Sequence, residues 1–154
     1  MSRYLLLFLC FAIVATSAAE SKLPMQVVAA KGAIAADKPF TGRFLGNGRA
    51  CSGALYVRTK TIEWHSTYSA CKQSRYQIIE QDMTGKEPRI AYLLKQRSKH
   101  CQHAVIELRH YNKQVWDANG YPSLEAYQKR DLPDWKDSLL SDREILSCGM
   151  LKAD

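Results

Sequence analysis

Ala50-Cys51-Ser52-Gly53-Ala54-Leu55-Tyr56-Val57-Arg58-Thr59-Lys60-Thr61-Ile62-Glu63-Trp64-His65-Ser66 is the stretch of chain that decides the fold. Leu55 and Val57 share one face of an extended run. In Lys60–Ser66, Ile62 and Trp64 share a face while Glu63 and His65 take the other. A period of two, with β-branched and aromatic residues at alternate positions, marks half-buried strands, because successive side chains in a strand point to opposite sides. Residues 51–58 and 61–66 therefore read as an antiparallel hairpin.

Working outward, the same pattern recurs. Gly46-Asn47-Gly48 contains Asn-Gly, a strong hairpin signal, and separates Thr41–Leu45 from Ala50–Arg58. Tyr76 and Ile78 continue the alternation, and Met83-Thr84-Gly85-Lys86 forms a loop. Ile90, Tyr92 and Leu94 then alternate with Arg89, Ala91, Leu93 and Lys95. Ala104, Ile106 and Leu108 lie opposite Glu107 and Arg109, and Val115–Ala118 is a further strand ended by Asn119-Gly120. Seven or eight short strands with short connections predict a mainly β chain, a small antiparallel up-and-down barrel or sandwich. Closure would leave no exposed edge. The tail differs: Ser123 can cap a short C-terminal helix over Leu124–Lys129, with Leu124 and Tyr127 facing the barrel, and Pro133 is expected to break regular structure beyond it. Ser141 and Glu144 have capping-box spacing, while Ile145-Leu146-Ser147-Cys148 suits a closing strand equally well.

The head of the chain reads as an export signal. Arg3 precedes the unbroken apolar run Tyr4–Ala15, and Thr16-Ser17-Ala18-Ala19 supplies small residues for cleavage after Ala19. The run is shorter than the roughly 20 residues that a spanning helix needs. Leu9 before Cys10 is too bulky for lipoprotein processing. The predicted organisation is a signal peptide over 1–19, an alanine-rich arm or leader strand over 20–38, and a single β domain over 39–154. The product is expected to be periplasmic or secreted, without a transmembrane segment.

Cys10 leaves with the signal, so Cys51, Cys71, Cys101 and Cys148 remain. An even number in an oxidising compartment predicts two disulfides. Four cysteines allow three pairings. In the hairpin above, Cys51 and Cys71 fall at one end of the sheet, which favours Cys51–Cys71 with Cys101–Cys148. His100-Cys101-Gln102-His103 could suggest zinc, but no second ligand pair accompanies it and the cysteine is expected to be oxidised. No metal and no cofactor are expected.

The chain carries a formal net charge of +7. Lys95, Arg97, Lys99, His100 and His103 form its densest basic segment, with Arg109, His110 and Lys113 near in sequence, and such a patch would attract phosphate, anionic glycan or lipid headgroups. Nucleic acid is a poor candidate, since stacking needs aromatics on the same face and Tyr92 falls on the inner one. His65, His103 or His110 beside a lysine would permit a small secreted hydrolase or nuclease. The sequence, however, holds no Gly-x-Ser-x-Gly, no phosphate-binding glycine loop and no His-Glu-x-x-His. A non-enzymatic binding protein is the expectation. Trp64, Trp116, Trp135, Tyr76 and Tyr92 could line a ligand cavity, but core packing is their expected use.

Ser52-Gly53-Ala54-Leu55-Tyr56 resembles the Ser-Gly-x-x-Tyr motif of bacterial periplasmic lysozyme inhibitors. That resemblance implies an exported eight-stranded barrel in which Ser52 and Tyr56 meet the cleft of a lysozyme-like enzyme. The motif here lies early in the chain. A basic inhibitor would also repel a basic lysozyme at long range.

Overall fold

A computed structural model describes residues 40–112 and 114–153 of the chain; the expected signal peptide 1–19, the arm 20–38 and Lys113 lie outside them. Eight strands form one closed antiparallel barrel in which each strand pairs with the next in sequence. They are β1 (Gly42–Gly46), β2 (Gly53–Val57), β3 (Thr61–His65) and β4 (Ala70–Asp82), then β5 (Arg89–Leu94), β6 (Val105–His110), β7 (Val115–Tyr121) and β8 (Leu146–Ala153). Pairing of β1 with β8, Phe44 opposite Lys152 and Leu45 opposite Leu151, closes the ring. The up-and-down barrel expected from the alternation is the observed architecture.

The interior is solid. Phe44, Leu55, Ile62, Trp64, Tyr92, Ile106, Leu108 and Met150 are buried there, with Trp116 edge-on to Phe40 and Phe44 at 5.2 Å each. Small barrels fill their interiors with side chains, and this one does so with aromatics. Trp135 lies elsewhere, on the outer surface beside Tyr121.

The sequence alternation misses one feature of β4. This strand is long because two bulges interrupt its pairing. Lys72 and Gln73 together oppose Glu63, since Ile62 pairs with Ser74 but Trp64 with Cys71. Ile79 is likewise extra, since Ile78 pairs with Tyr92 and Glu80 with Ala91. An extra residue resets which side chains point outward. The second bulge thereby places both Ile79 and Glu80 on the outer face.

That outer face is covered. The β7–β8 connection carries α1 (Leu124–Lys129), α2 (Pro133–Asp137) and a 3-10 turn (Leu140–Arg143). Ser123 caps α1 through Ala126 N, as expected. Pro133 starts α2 rather than ending structure, because a missing N–H costs nothing in a first turn. The closing-strand alternative for 145–148 is the observed one. Tyr121, Tyr127, Val105 and Ala91 form a second apolar cluster beneath this segment, with Leu124 and Trp135 packed on it. At its centre Glu107 is fully buried on the outer side of β6. It accepts hydrogen bonds from Asn119 Nδ2 and the Tyr121 hydroxyl, both at 3.0 Å, and its Oε1 lies 3.7 Å from Arg130 Nε. Arg130 also bonds Glu80 at 2.7 Å and lies over the Tyr127 ring at 3.9 Å. Burial and the Glu107 carboxylate both push the Tyr121 phenol up, so it stays protonated and donates.

The disulfides are Cys51–Cys148 and Cys71–Cys101, which corrects the expected pairing. Cys51 and Cys71 do sit at one end of the barrel, but β2 and β3 separate the β1–β2 turn from β4. Two strand spacings of about 4.8 Å exceed the roughly 7 Å Cα limit of a bridge. Ring closure instead sets Cys148 of β8 beside Cys51. Cys71 takes Cys101 because β5 stops at Leu94, opposite Tyr76, and the loop after it runs beside the first half of β4.

The bridges and the buried glutamate can each be tested. Peptide mapping without reductant should recover Cys51 joined to Cys148, and removing that bridge, whose sequence separation is 97, should cost about 4–5 kcal/mol in the chain-entropy model. Glu107→Leu should cost about 3–5 kcal/mol in urea unfolding, because it leaves the buried donors of Asn119 and Tyr121 without an acceptor and removes a carboxylate beside Arg130. Glu125→Ala, on the exposed side of α1, should change stability by under about 0.5 kcal/mol.

Candidate functional site

With the interior filled by side chains, the charged groups lie mainly on the outer surface, where they are distributed unevenly. Residues 58–79 and 93–103 build one flank of the barrel and contain a single acid, Glu63. Glu63 is already engaged: it accepts from His65 Nε2 at 2.8 Å and from Arg58 at 3.2 Å, and these partners hold its carboxyl below the ordinary range. Glu80, Glu87, Glu107 and the acids of 125–144 lie outside those segments.

On the basic flank, backbone and side-chain hydrogen bonds bring two remote segments together. Lys95 N donates to Arg75 O, Gln96 N to Ser74 Oγ, and Lys72 N to Ser98 Oγ, whose hydroxyl donates to Ala70 O. Cys71–Cys101 fixes the far end of this loop. The loop thus acts as an irregular neighbour of β4 and sets Lys95 beside Arg75. The β2–β3 turn is tied to the same strand by the Tyr76 hydroxyl, 2.9 Å from both Arg58 O and Thr59 O. This brings Lys60 to the same place.

The result is a groove of two adjoining clefts that share Arg75 and Lys95. One, of about 460 Å³, adds Thr61, Gln73, Ser74 and Gln96; the other, of about 370 Å³, adds Thr59, Lys60 and Tyr76. Among the described residues, no acid forms an ion pair with Lys60, Lys72, Arg75, Lys95 or Lys99. Cations with adjacent hydroxyl and amide donors can hold a chain of anionic groups. Along β4, Arg75 to Lys72 spans about 10 Å at the strand rise, and Lys60 extends the row.

The residues singled out in the sequence fare unequally. Lys95 belongs to the groove. Arg97 and Lys99 come next on the loop, Arg97 donating to Pro122 O at 3.2 Å. Arg109 does not join them: it projects from the outer face of β6 toward Glu87 and Glu107, at 3.7 and 3.8 Å. Lys60, Lys72 and Arg75 were not singled out from the sequence. Their signal was the scarcity of acids between 58 and 79. Ser52 is exposed beside the β1–β2 turn, and Tyr56 stands half-buried on the outer face of β2 opposite Arg43 and Glu63. Gly53 between them has φ +146, and a Cβ there would lie 2.0 Å from the His65 carbonyl oxygen. The glycine of the motif is therefore demanded by strand packing.

The histidines are dispersed. His65 pairs with Glu63 on the outside of β3, and His110 stacks on Trp116 at 4.3 Å near the opposite end of the barrel. His103 is buried, stacked on Trp64 at 4.9 Å. Among the described residues no group of His, Cys, Asp and Glu is placed to hold a metal ion, and no helix is long and apolar enough to cross a membrane. No protein-family model, curated protein or solved structure matches the chain.

Burial of His103 pushes its pKa down from 6.5 to about 4. The unfolded chain therefore binds a proton at this position in a range where the folded chain does not. Stability should fall as pH drops from about 6.5 toward 4, by up to ~3 kcal/mol from this residue. Urea unfolding at a series of pH values should show the loss, and His103→Phe should flatten it.

Proposed function

We propose that this chain is an exported, non-enzymatic β-barrel binding protein whose groove along β4 holds an anionic polymer. The observation that carries this reading is the convergence of Arg75 and Lys95 on two adjoining clefts, with no acid paired to either among the described residues. Two disulfides support export, since such bridges persist outside the cytosol. A row of separated cations suits a repeating charge better than a single phosphate. Attraction of this kind is screened by salt.

Heparin serves as the probe. The protein should bind it with an affinity that falls steadily as salt rises. The double variant Arg75→Glu and Lys95→Glu should bind at least about tenfold more weakly, at about 1 kcal/mol per charge near an anionic surface. Arg109→Glu, on the far side, should match the wild type. Equal binding by the double variant would remove the proposal.

A second reading comes from the Ser-Gly-x-x-Tyr resemblance. It is supported by the eight-stranded disulfide-bonded barrel and by the exposure of Ser52, just before β2, with Tyr56 half-buried on the outer face of that strand. Under it, the protein slows a lysozyme-like enzyme and Tyr56→Ala relieves the inhibition; no inhibition of any lysozyme class at micromolar excess ends it.

A further inference from the structure

The groove along β4 carries more than charge, and its cations fall into two groups. Lys60, Arg75 and Lys95 meet where the two clefts join. They do so because Thr61 lies opposite Arg75 in the β3–β4 register and Lys95 N donates to Arg75 O. Lys72 stands three residues back along β4, about 10 Å away at the strand rise. Between the two groups the lining is neutral, with Gln73 and Ser74 on the strand and Gln96 on the loop.

This neutral stretch offers acceptors as well as donors. Gln73 Nε2 donates to Thr61 Oγ1 at 3.0 Å, which directs the Gln73 carbonyl oxygen away from Thr61. The Gln96 side chain is exposed beside Ser74, whose hydroxyl accepts from Gln96 N at 3.3 Å. An amide side chain accepts through its oxygen and donates through its nitrogen. A ligand that spans the groove must therefore bring hydrogen-bond donors to its middle and negative charge to its two ends.

Chains of phosphate suit this pattern badly. Their oxygens only accept, and a nucleic-acid strand carries a charge about every 3.4 Å. A strand reaching from Lys72 to Arg75 would set about two phosphates over the neutral stretch, against amide and hydroxyl oxygens. Base stacking also needs an open aromatic face. Tyr76 stands edge-on to Tyr92, with its hydroxyl on Arg58 O and Thr59 O. A sugar chain suits the pattern well. Its hydroxyls donate and accept, and where alternate rings carry a carboxylate, two ring lengths separate successive charges, on the scale of the gap between Lys72 and Arg75. A guanidinium such as that of Arg75 holds a carboxylate through two parallel N–H bonds.

We propose that the groove binds an acidic polysaccharide charged on alternate rings. One carboxylate sits on Arg75 and Lys95, the next on Lys72, and the uncharged ring between them is hydrogen-bonded by Gln73 and Gln96. This inference rests on the polymer reading above and narrows it to a sparsely charged, hydroxyl-rich chain.

The test is calorimetric titration of the purified protein in roughly 0.15 M salt, where charge alone is well screened. The probes are a hyaluronan oligosaccharide, which has a carboxylate on alternate rings, and linear polyphosphate and single-stranded DNA with the same number of charges. Hyaluronan should bind about tenfold more tightly than either phosphate chain. The double variant Gln73→Ala and Gln96→Ala should lose most of that preference. The proposal is overturned if hyaluronan does not bind up to millimolar concentration, if polyphosphate or DNA binds as tightly, or if the double variant keeps the full preference. Heparin, dense in charge, reports on the cations: if its binding still weakens in Arg75→Glu with Lys95→Glu while hyaluronan fails, the polymer reading stands and only its narrowing falls. The ranking of probes on the unaltered protein decides the matter even if the glutamine variant does not fold.

Discussion

Antiparallel pairing of β1 with β8 is the constraint on which the rest of the molecule depends. An open eight-stranded sheet would leave two edges of unpaired backbone groups and no inside. Closing it satisfies both edges and creates an interior. Alternate side chains of every strand are then committed to that interior, and Trp64, Tyr92, Phe44 and Met150 fill it. Closure also sets the turn bearing Cys51 against the strand bearing Cys148. Since the inside is occupied by side chains, the exposed polar and charged groups lie on the outer surface.

The surface is organised by β4. The length of β4 beyond the end of β5 gives the next loop a strand to run along. Where β5 ends at Leu94, the chain does not turn away but hydrogen-bonds along β4 as far as Cys101. That path sets Lys95 beside Arg75 and carries on through His103, which plugs the barrel end above Gly120. One loop, held by one disulfide, thus contributes to the basic groove and to the plugged end of the barrel. The acids are drawn to the opposite side, where Glu80 and Glu107 bind Arg130 and anchor the helical cover. Buried charges of this kind are weak evidence for net stability. Here they add fixed polar contacts to a segment that Tyr127, Leu124 and Trp135 also pack against the barrel.

Much of this was legible in the amino-acid sequence. The period-two pattern at Ile62 and Trp64, at Ile90 and Tyr92, and at Ile106 and Leu108 shows which side chains face inward, because each strand is half-buried and the pleat leaves no other choice. Leu124 and Tyr127, one turn apart, similarly reveal the docked face of α1. The features that stayed hidden depend on contacts distant in sequence. A bulge adds a residue without altering composition, so Lys72 and Gln73 gave no sign that both face outward. The pairing of cysteines is set by which strands are neighbours in space, and the neighbour of β1 is the last strand of the chain. Proximity in sequence grouped Arg109 with Lys95, yet strand register places it among Glu87 and Glu107. Glu107 itself looked like an ordinary outward residue, and only the cover folding over it makes it buried.

Closure of the ring is measured most directly by NMR, through backbone contacts and amide exchange in the first and last strands. If β1 and β8 are paired, Leu45 will show cross-strand contacts to Leu151, and amides from both strands will be protected to the same degree as those of the central strands β6 and β7. An absence of such contacts, with amides of β1 and β8 exchanging as freely as an exposed sheet edge, would mean an open sheet and would contradict the account.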